Sequence, residues 1–280
     1  MLVTAVIPCY NSQNTIERAI DSVLNQTHKV DEIIVVNDGS TDNSLQVLNN
    51  ITQSNKCIKV IDQNNKGVSN ARNTAIKEAK GEFILTLDAD DYFEPTFVEK
   101  ALHRFSENNQ YGAVMCGYVR VVNEKKILSY IPSDVTLASC LLNNGALSCL
   151  LLKKSVIEVA GGYDTKMVEG YEDWDLNIRI LKAGFTFGIV REVLFNYVDT
   201  PGSRTYKATP NDIELRMYMY YKYKDLYQKN ASYIYQQLIN QNIQLRRRQK
   251  KVKQSMSFKL GDKIIGSLIV VKHILNFKRQ

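Results

Sequence analysis

Short apolar runs alternate with helical patterns over the first ninety residues of the chain. Four runs are hydrophobic and bounded by polar residues or glycine, which predicts buried strands. They cover residues 2–7, 32–36, 58–61 and 83–87. Between them, apolar residues recur every three or four positions, as Ile16, Ile20 and Val23 do, which predicts amphipathic helices. This alternation predicts an α/β fold with a central, mostly parallel sheet flanked by helices.

The pattern becomes more mixed after residue 95. It predicts helices at 96–105, 134–142, 155–160 and 172–183, and strands at 113–122, 127–131 and 146–152, with one or two more in 185–198. Beyond residue 210, Tyr, Lys and Gln dominate, and we expect helices over 211–253. The chain therefore divides into a domain at 1–210 and a helical extension at 211–280.

The fourth apolar run ends in three carboxylates, Asp88, Asp90 and Asp91. Side chains alternate along a strand, so we expect Asp88 and Asp90 on one side and Asp91 on the other. Two neighbouring carboxylates repel each other, and a divalent cation such as Mg²⁺ or Mn²⁺, shared with substrate phosphates, would relieve that repulsion. The alternative is a solvated acidic turn without a metal.

Polar clusters follow three of the predicted strands, around Tyr10, Asp38 and Asp88. Ligands of open α/β sheets bind at the carboxyl ends of the strands, so three clusters on one edge predict a binding site. The chain has no G-x-G-x-x-G after its first strand and no G-K-[ST], which argues against a dinucleotide site and a P-loop.

Charge is distributed unevenly along the 280 residues. The formal net charge is +7. Residues 245–280 carry a net +10, which leaves −3 for residues 1–244. Aliphatic residues recur at helical spacing over 258–277, with lysines beside them. This pattern favours a helix on an anionic membrane surface or a homodimer contact, and it disfavours nucleic acid, which would need interleaved aromatic residues.

The five cysteines are scattered and lack C-x-x-C spacing, which predicts reduced thiols rather than disulfides or a zinc site. We expect no secretory signal, because no basic region precedes the first apolar run, and no apolar stretch is long enough to span a bilayer. The predicted location is cytoplasmic, with peripheral contact at the inner face of the membrane.

Five motifs in order carry a resemblance to a known family. They are AVIPCYN at 5–11, VVNDGSTD at 35–42, NKG at 65–67 with ARN at 71–73, LDADD at 87–91 and GYEDW at 170–174. Together they resemble family 2 glycosyltransferases of the GT-A fold over about residues 1–205.

The resemblance implies a nucleotide-sugar donor and assigns residues to it. Asp38 would accept a hydrogen bond from the base, with an Asx-turn as the alternative role. Asp90 would bind the cation and Asp88 would contact the donor. The other residues implied at the donor are Pro8, Cys9, Tyr10, Lys66 and Arg72, although Lys66 could equally be a solvated surface lysine.

The resemblance also implies Asp173 as the catalytic base, in the first turn of a helix whose dipole favours the ionised carboxylate. Direct attack on the anomeric carbon would invert its configuration. Glu172, Trp174 and Arg204 would lie near the acceptor or the diphosphate, with a core position as the alternative for Trp174. Many relatives have a histidine where Thr200 stands, so the ligand opposite Asp90 stays open, with Asp199 or Thr200 as substitutes.

The implied function is that of a metal-assisted, inverting glycosyltransferase. It would move a sugar from a nucleotide diphosphate, with UDP as the expected carrier, to a glycan or lipid-linked acceptor. The expected process is cell-surface polysaccharide synthesis. One alternative is a sugar-phosphate nucleotidyltransferase of related fold, which would need a Gly-rich basic loop after the first strand. The other is a non-enzymatic nucleic-acid-binding module that uses the basic tail.

Overall fold

A nine-stranded sheet positions every candidate residue of the first 199. The structure is a computed structural model that describes residues 1–199, 211–258 and 260. In those residues the strands are β1 (Val3–Cys9), β2 (Glu32–Asp38), β3 (Ile58–Gln63), β4 (Phe83–Thr86), β5 (Tyr92–Phe93), β6 (Tyr111–Val122), β7 (Lys125–Tyr130), β8 (Leu151–Lys153) and β9 (Thr186–Val198). Their order is β3-β2-β1-β4-β8-β6-β9-β5, and β7 pairs with β6.

Helices cover the sheet where the apolar periodicity predicts them. The described helices are α1 (Ile16–Leu24), α2 (Ser44–Ser54), α3 (Val68–Glu78), α4 (Phe97–Glu107), α5 (Leu137–Cys140), α6 (Lys154–Ala160), α7 (Glu172–Lys182), α8 (Asp212–Lys222), α9 (Lys224–Lys229) and α10 (Ala231–Gln254). Helix α1 buries Ile16, Ile20 and Val23 in the same core as the apolar residues of β1 and β2. The predicted α/β fold with flanking helices is confirmed.

The strands of the first ninety residues form the parallel part of the sheet. Strand β1 lies between β2 and β4, and β3 pairs with the outer side of β2, all in parallel. Such strands are covered on both faces, which explains why β1 reads as an unbroken apolar run. Its residues from Val3 to Ile7 are all fully buried.

Strand β8 reverses the direction of the sheet and then restores it. It pairs antiparallel with β4 on one side and with β6 on the other. Strand β6 therefore runs in the same direction as β4, and β9 is parallel to β6. As a result, the carboxyl ends of β1, β2, β4, β6 and β9 all lie on one edge of the sheet, and the parallel pairs are interrupted only by β8.

Helix α7 is buried around most of its circumference, as its sequence predicts, and α8 packs beside it. The fully buried Asp175 of α7 accepts bonds from Arg179 at 2.7 Å and from the Tyr223 hydroxyl at 2.6 Å. A buried carboxylate needs such partners to offset its lost hydration. The network ties residues 211–223 to the larger of the two compact units, Met1–Lys224.

Two elements are shorter than predicted, and the region predicted to hold one or two strands holds one. The strand predicted at 146–152 is limited to β8, because Thr86 Oγ1 donates to the Ser148 and Leu150 carbonyls and takes the place of a strand ladder there. The helix predicted at 134–142 is the single turn α5, which a capping box at Thr136 begins. Residues 185–198 form the single strand β9.

The second compact unit is Asp225–Gln280, and within its described residues α10 is the main element. Every residue of α10 from 238 to 254 is exposed. Most of the amphipathic run predicted at 258–277 lies outside the described residues, so the predicted membrane or dimer contact is not tested there. None of the described helices is long and apolar enough to cross a bilayer. The domain boundary at residue 210 stays a prediction.

Candidate active site

The loop after β1 places one of its three predicted donor residues in solvent. Tyr10 is 50% exposed, whereas Pro8 is partly buried and Cys9 is fully buried. Burial raises the pKa of the Cys9 thiol, and Cys9 is part of the hydrophobic core. Asn11 adopts a φ of +51° and its Oδ1 accepts the Thr41 N–H at 2.7 Å, which fastens this loop to the one after β2.

Asp38, at the end of β2, holds the start of α3. Its Oδ1 accepts the Lys66 N–H at 2.9 Å and a bond from Gln63 Nε2 at 2.7 Å, and its Oδ2 accepts the Gly67 N–H at 2.8 Å. Gly67, with a φ of +85°, is the residue at which α3 begins. Asp38 is 3% exposed, so any contact with a base would be additional to these three bonds. The Lys66 side chain is exposed.

The three carboxylates after β4 are arranged differently from the prediction. Strand β4 ends at Thr86, and the Asp91 N–H donates to the Asp88 carbonyl at 3.1 Å, which closes a turn. The alternation of side chains expected from a strand therefore stops before Asp88. Asp88 and Asp91 come together beside Cys149, with one ligand atom of each within 4.8 Å of the others, so the expectation that Asp91 lies on the side opposite Asp88 is wrong.

Asp91 is a structural carboxylate in this turn. It is 1% exposed and its Oδ1 accepts the Val198 N–H at 2.8 Å, which joins the turn to the end of β9. Burial, together with the charges of Asp90 and Asp88, raises the pKa of Asp91 well above its ordinary value.

The preference of Mg²⁺ and Mn²⁺ for oxygen ligands decides which of Asp88, Asp90 and Cys149 fit such a cation. Mg²⁺ and Mn²⁺ prefer ionised carboxylates to a thiol. Burial and the nearby Asp88 and Asp91 raise the pKa of Cys149 well above its usual value, so its thiol does not fit. Asp88 and Asp90 are partly exposed carboxylates and fit. Arg18 donates to the Asp90 backbone carbonyl at 2.7 Å and so positions that residue.

Arg72 joins the acidic turn to helix α7. It lies on α3, is 1% exposed, and donates to Asp88 Oδ1 at 2.6 Å and to Glu172 Oε1 at 2.9 Å. Although burial alone would lower the pKa of Arg72, the charge of Asp88 and the acidic groups beside it raise that pKa well above its usual value. The guanidinium is therefore always charged. Arg72, which was predicted as a donor contact, thus bonds to a residue one hundred positions later in the chain, Glu172.

Helix α7 begins at Glu172, directly after two residues with positive φ, Gly170 at 128° and Tyr171 at 66°. Glu172 is 5% exposed and is held by Arg72, so the salt bridge fixes the first turn of the helix. Asp173 is partly exposed in that turn, where the helix dipole stabilises a negative charge. The prediction that Asp173 lies at the start of a helix therefore agrees with the structure.

Two asparagines orient Asp173, and sequence reasoning missed both. Asn144 Nδ2 donates to Asp173 Oδ2 at 2.8 Å, and Asn177 Nδ2 donates to Asn144 Oδ1 at 3.1 Å. Asn177 stands one helical turn after Asp173, which is a spacing that the sequence does show. Nothing in the sequence indicates Asn144, because the contact depends on the folded position of residues 141–150.

Two further residues were predicted near the acceptor or the diphosphate, and the structure supports such a contact for neither. Trp174 is 2% exposed, donates its indole N–H to the Cys140 carbonyl and packs edge-on against Tyr171. It therefore occupies the core position that was predicted as the alternative to a sugar contact. A buried indole offers no face to a sugar. Arg204 lies outside the described residues, as does Thr200, so their predicted contacts are not tested.

Comparison with known proteins agrees with this geometry. Residues 4–140 match the family model described as glycosyl transferase family 2. Chondroitin synthase of Pasteurella multocida strain Pm70 is 42% identical over 113 residues, which is 40% of this chain and 12% of that protein. Poly-beta-1,6-N-acetyl-D-glucosamine synthase of Staphylococcus aureus strain MSSA476 is 32% identical over 192 residues, 63% of this chain and 46% of that protein.

Among solved structures, S. aureus TarS 1–349 in complex with UDP-GlcNAc is similar, with a TM-score of 0.65 at 22% identity. The match covers 78% of this chain and 64% of that one. The fold is therefore the GT-A fold of glycosyltransferases. The family match identifies residues 4–140, just under half of the chain, as a glycosyl transferase family 2 domain. The chain spans less than half the length of the two synthases above.

Proposed function

We propose that this protein transfers a sugar from a UDP-linked donor to a hydroxyl of a glycan or lipid-linked acceptor, with inversion at the anomeric carbon and with the help of a divalent cation. The product would be a cell-surface polysaccharide or glycoconjugate. The observation that carries the proposal is the Arg72 bridge between Asp88 and Glu172. This bridge holds the start of α7, the helix that carries the candidate base, close to Asp88, the carboxylate suited to the donor.

The donor side of the proposal uses the loops after β1, β2 and β4. The ring of Tyr10 is exposed and is proposed to stack on the base, and the exposed Lys66 side chain is proposed to contact phosphates. The role of Asp38 in base recognition stays a proposal beside its bonds to Lys66 and Gly67. UDP-GlcNAc is the first donor to test, because the similar TarS structure is a complex with UDP-GlcNAc and one relative is a synthase of poly-N-acetylglucosamine.

Asp173 is the proposed general base. Its carboxylate accepts the proton of the acceptor hydroxyl while that oxygen attacks the anomeric carbon. The bond from the anomeric carbon to the diphosphate oxygen breaks, and UDP leaves with both electrons of that bond. The bond from Asn144 fixes Asp173 Oδ2, so the carboxylate is oriented before the substrate arrives. Attack from the face opposite the diphosphate inverts the configuration.

Asp90, with Asp88 beside it, is the proposed site for Mg²⁺ or Mn²⁺. When bound, the cation supplies Lewis-acid neutralisation of the leaving diphosphate. Arg18 bonds to the backbone of Asp90, and Arg72 holds the carboxylate of Asp88. The residue opposite Asp90 is not assigned, because 200–210 lie outside the described residues.

The test is sugar transfer from UDP-GlcNAc in the presence of Mn²⁺, followed as UDP release and as product. Asp173→Asn keeps the size of the side chain and its position beside Asn144 but removes the base, so we expect transfer to fall about 10²–10⁴-fold. UDP binding should be unchanged. Glu169→Gln, an exposed acid three residues before α7, is the matched control. Wild-type transfer by Asp173→Asn would contradict the assigned base.

The basic residues at the end of α10 suggest where in the cell the protein acts. Arg246, Arg247, Arg248, Lys250, Lys251 and Lys253 are all exposed on the last part of α10. Such a cluster is attracted to anionic lipid headgroups by about 1 kcal/mol per charge near the surface. We therefore propose peripheral contact with the inner face of the cytoplasmic membrane, with a homodimer contact as the alternative. Sedimentation with anionic vesicles, compared with sedimentation velocity of the protein alone, separates the two.

A further inference from the structure

A cavity of about 270 Å³ opens beside the candidate base, away from the donor loops. Its walls come from β6, β7 and β9 and from residues 144–148. The carboxyl ends of β6 and β9 lie on the same edge of the sheet as Asp88, because β8 restores the strand direction. The cavity therefore continues the candidate site along that edge, on the side opposite β1 and β2.

The cavity and the candidate base share a residue. Asn144 lines the cavity, and its amide nitrogen is 2.8 Å from Asp173 Oδ2. Asp173 itself does not line the cavity, so a molecule that fills it is separated from the Asp173 carboxylate by the Asn144 side chain. No described residue of the loops after β1 and β2 lines the cavity, so a nucleotide bound at those loops would leave it open.

The chemistry of the walls suits a sugar ring. Tyr118, Tyr130 and Tyr197 line one part, and the rings of Tyr118 and Tyr130 are 5.7 Å apart at 55°. A tyrosine presents an apolar face and a polar hydroxyl together, which matches the C–H face and the hydroxyl rim of a pyranose. Gly145 and Ala146 line another part, where small side chains leave room. Tyr130 is 49% exposed, so a bound chain would reach it from solvent.

We propose that this tyrosine pocket binds a sugar ring of the acceptor glycan, next to the ring whose hydroxyl reacts. The inference rests on the proposed transferase function and deepens it, because it makes the acceptor a carbohydrate chain rather than a lipid carrier recognised by its apolar part. Within the described part of the chain, no charged side chain lines the pocket, so the recognised ring is neutral.

The test is binding of three hexasaccharides, built from N-acetylglucosamine, from glucose, and from alternating uronic acid and amino sugar. Saturation-transfer NMR on the full chain detects which sugar protons lie against the protein. We expect a neutral hexasaccharide to bind, and Tyr130→Ala to weaken that binding about five- to tenfold. Tyr130→Phe and Tyr130→Trp keep a ring and should stay within about twofold of the wild type.

Control and second variants make the result decisive. Tyr221→Ala removes a 68% exposed tyrosine on α8 that does not line the pocket, and it should not change binding. Tyr118→Ala, which removes the second ring, should weaken binding as Tyr130→Ala does. Equal binding by the wild type, Tyr118→Ala and Tyr130→Ala would overturn the inference, as would binding of a dodecyl-chain detergent in competition with the hexasaccharide.

Donor binding separates this inference from the proposed function. If UDP-GlcNAc binds and is slowly hydrolysed by all variants while no hexasaccharide binds the wild type, the pocket assignment fails and the transferase proposal stands. If no nucleotide sugar binds either, the proposed function fails first.

Discussion

The two sides of the sheet edge are held together in different ways. On the donor side, each loop is tied to its neighbour, as Asn11 is to Thr41 and Asp38 to Gly67. On the acceptor side, the connections are long-range, because Arg72 reaches Glu172 on α7 and Asp91 accepts a bond from β9. The donor side is thus fastened between consecutive strand-end loops, and the acceptor side depends on bonds that join segments about one hundred positions apart.

Under the proposed function, this difference separates a part of the site suited to the nucleotide from a part suited to the acceptor. A cradle fastened loop to loop suits a constant nucleotide, whereas a pocket of aromatic and small residues suits a variable acceptor. The match to the family model agrees with this view, since it covers residues 4–140 and ends before α7.

Removing Arg72 breaks the join between the two sides and should have the largest effect on stability. Arg72→Ala leaves Asp88 and Glu172, with 18% and 7% of their side chains exposed, without their guanidinium partner. Loss of one partner of a buried ion pair costs about 3–5 kcal/mol of the free energy of unfolding. Urea unfolding of the full chain measures it. Lys59→Ala, which breaks the exposed pair with Glu78, should lower the free energy of unfolding far less than Arg72→Ala does, because water screens an exposed ion pair.

The same variants can also show that Arg72 does not join the two sides. If Arg72→Ala and Lys59→Ala unfold at the same urea concentration, then the two sides are not joined through Arg72. Arg72→Lys should recover only part of the loss, because an ammonium group cannot bridge two carboxylates with a planar fork.

Asp38→Asn probes the donor side alone and should have a smaller effect. An amide cannot accept all three bonds that the Asp38 carboxylate accepts, so we expect a loss of about 1–3 kcal/mol in the free energy of unfolding. Binding of UDP and CDP then separates two roles. If Asp38 only holds the start of α3, both affinities fall equally. If Asp38 also reads the base, UDP binding falls more than CDP binding.

Asp62→Asn is the control for that measurement. Asp62 is an exposed carboxylate on β3 that accepts one bond from Asn37. Its replacement should leave the UDP-to-CDP ratio unchanged. A larger change in this ratio for Asp62→Asn than for Asp38→Asn would contradict a role for Asp38 at the base.

Much of the donor side was predictable from the sequence, for physical reasons. Strands β1 to β4 are short apolar runs between helices whose periodicity is local, so pattern alone places them. Their order also placed the loops after β1, β2 and β4 on one edge. The turn at Asp88 was not predictable, because the bond from the Asp91 N–H to the Asp88 carbonyl ends the strand alternation.

The acceptor side was less predictable because its contacts do not join the ends of consecutive predicted strands. Asn144 orients Asp173 across 29 positions, and an asparagine in a turn carries no periodic signal. The sequence left two roles open for Trp174, a core position and a sugar contact. Its packing against Tyr171 and its bond to Cys140 place it in the core. The tyrosine pocket combines residues of β6, β7 and β9, and a register between strands is needed to bring them together.

Calorimetric titration of UDP, with Mn²⁺ and then with the ion chelated, tests the central claim that the strand ends form a cation-assisted nucleotide site. With Mn²⁺ we expect UDP to bind the wild type, and chelation or Asp90→Asn to weaken that binding at least about tenfold, since the carboxylate and the diphosphate hold the ion together. Glu82→Gln, an exposed acid before β4, should bind as the wild type does. Equal UDP affinity with and without the ion, or in Asp90→Asn, would contradict the claim.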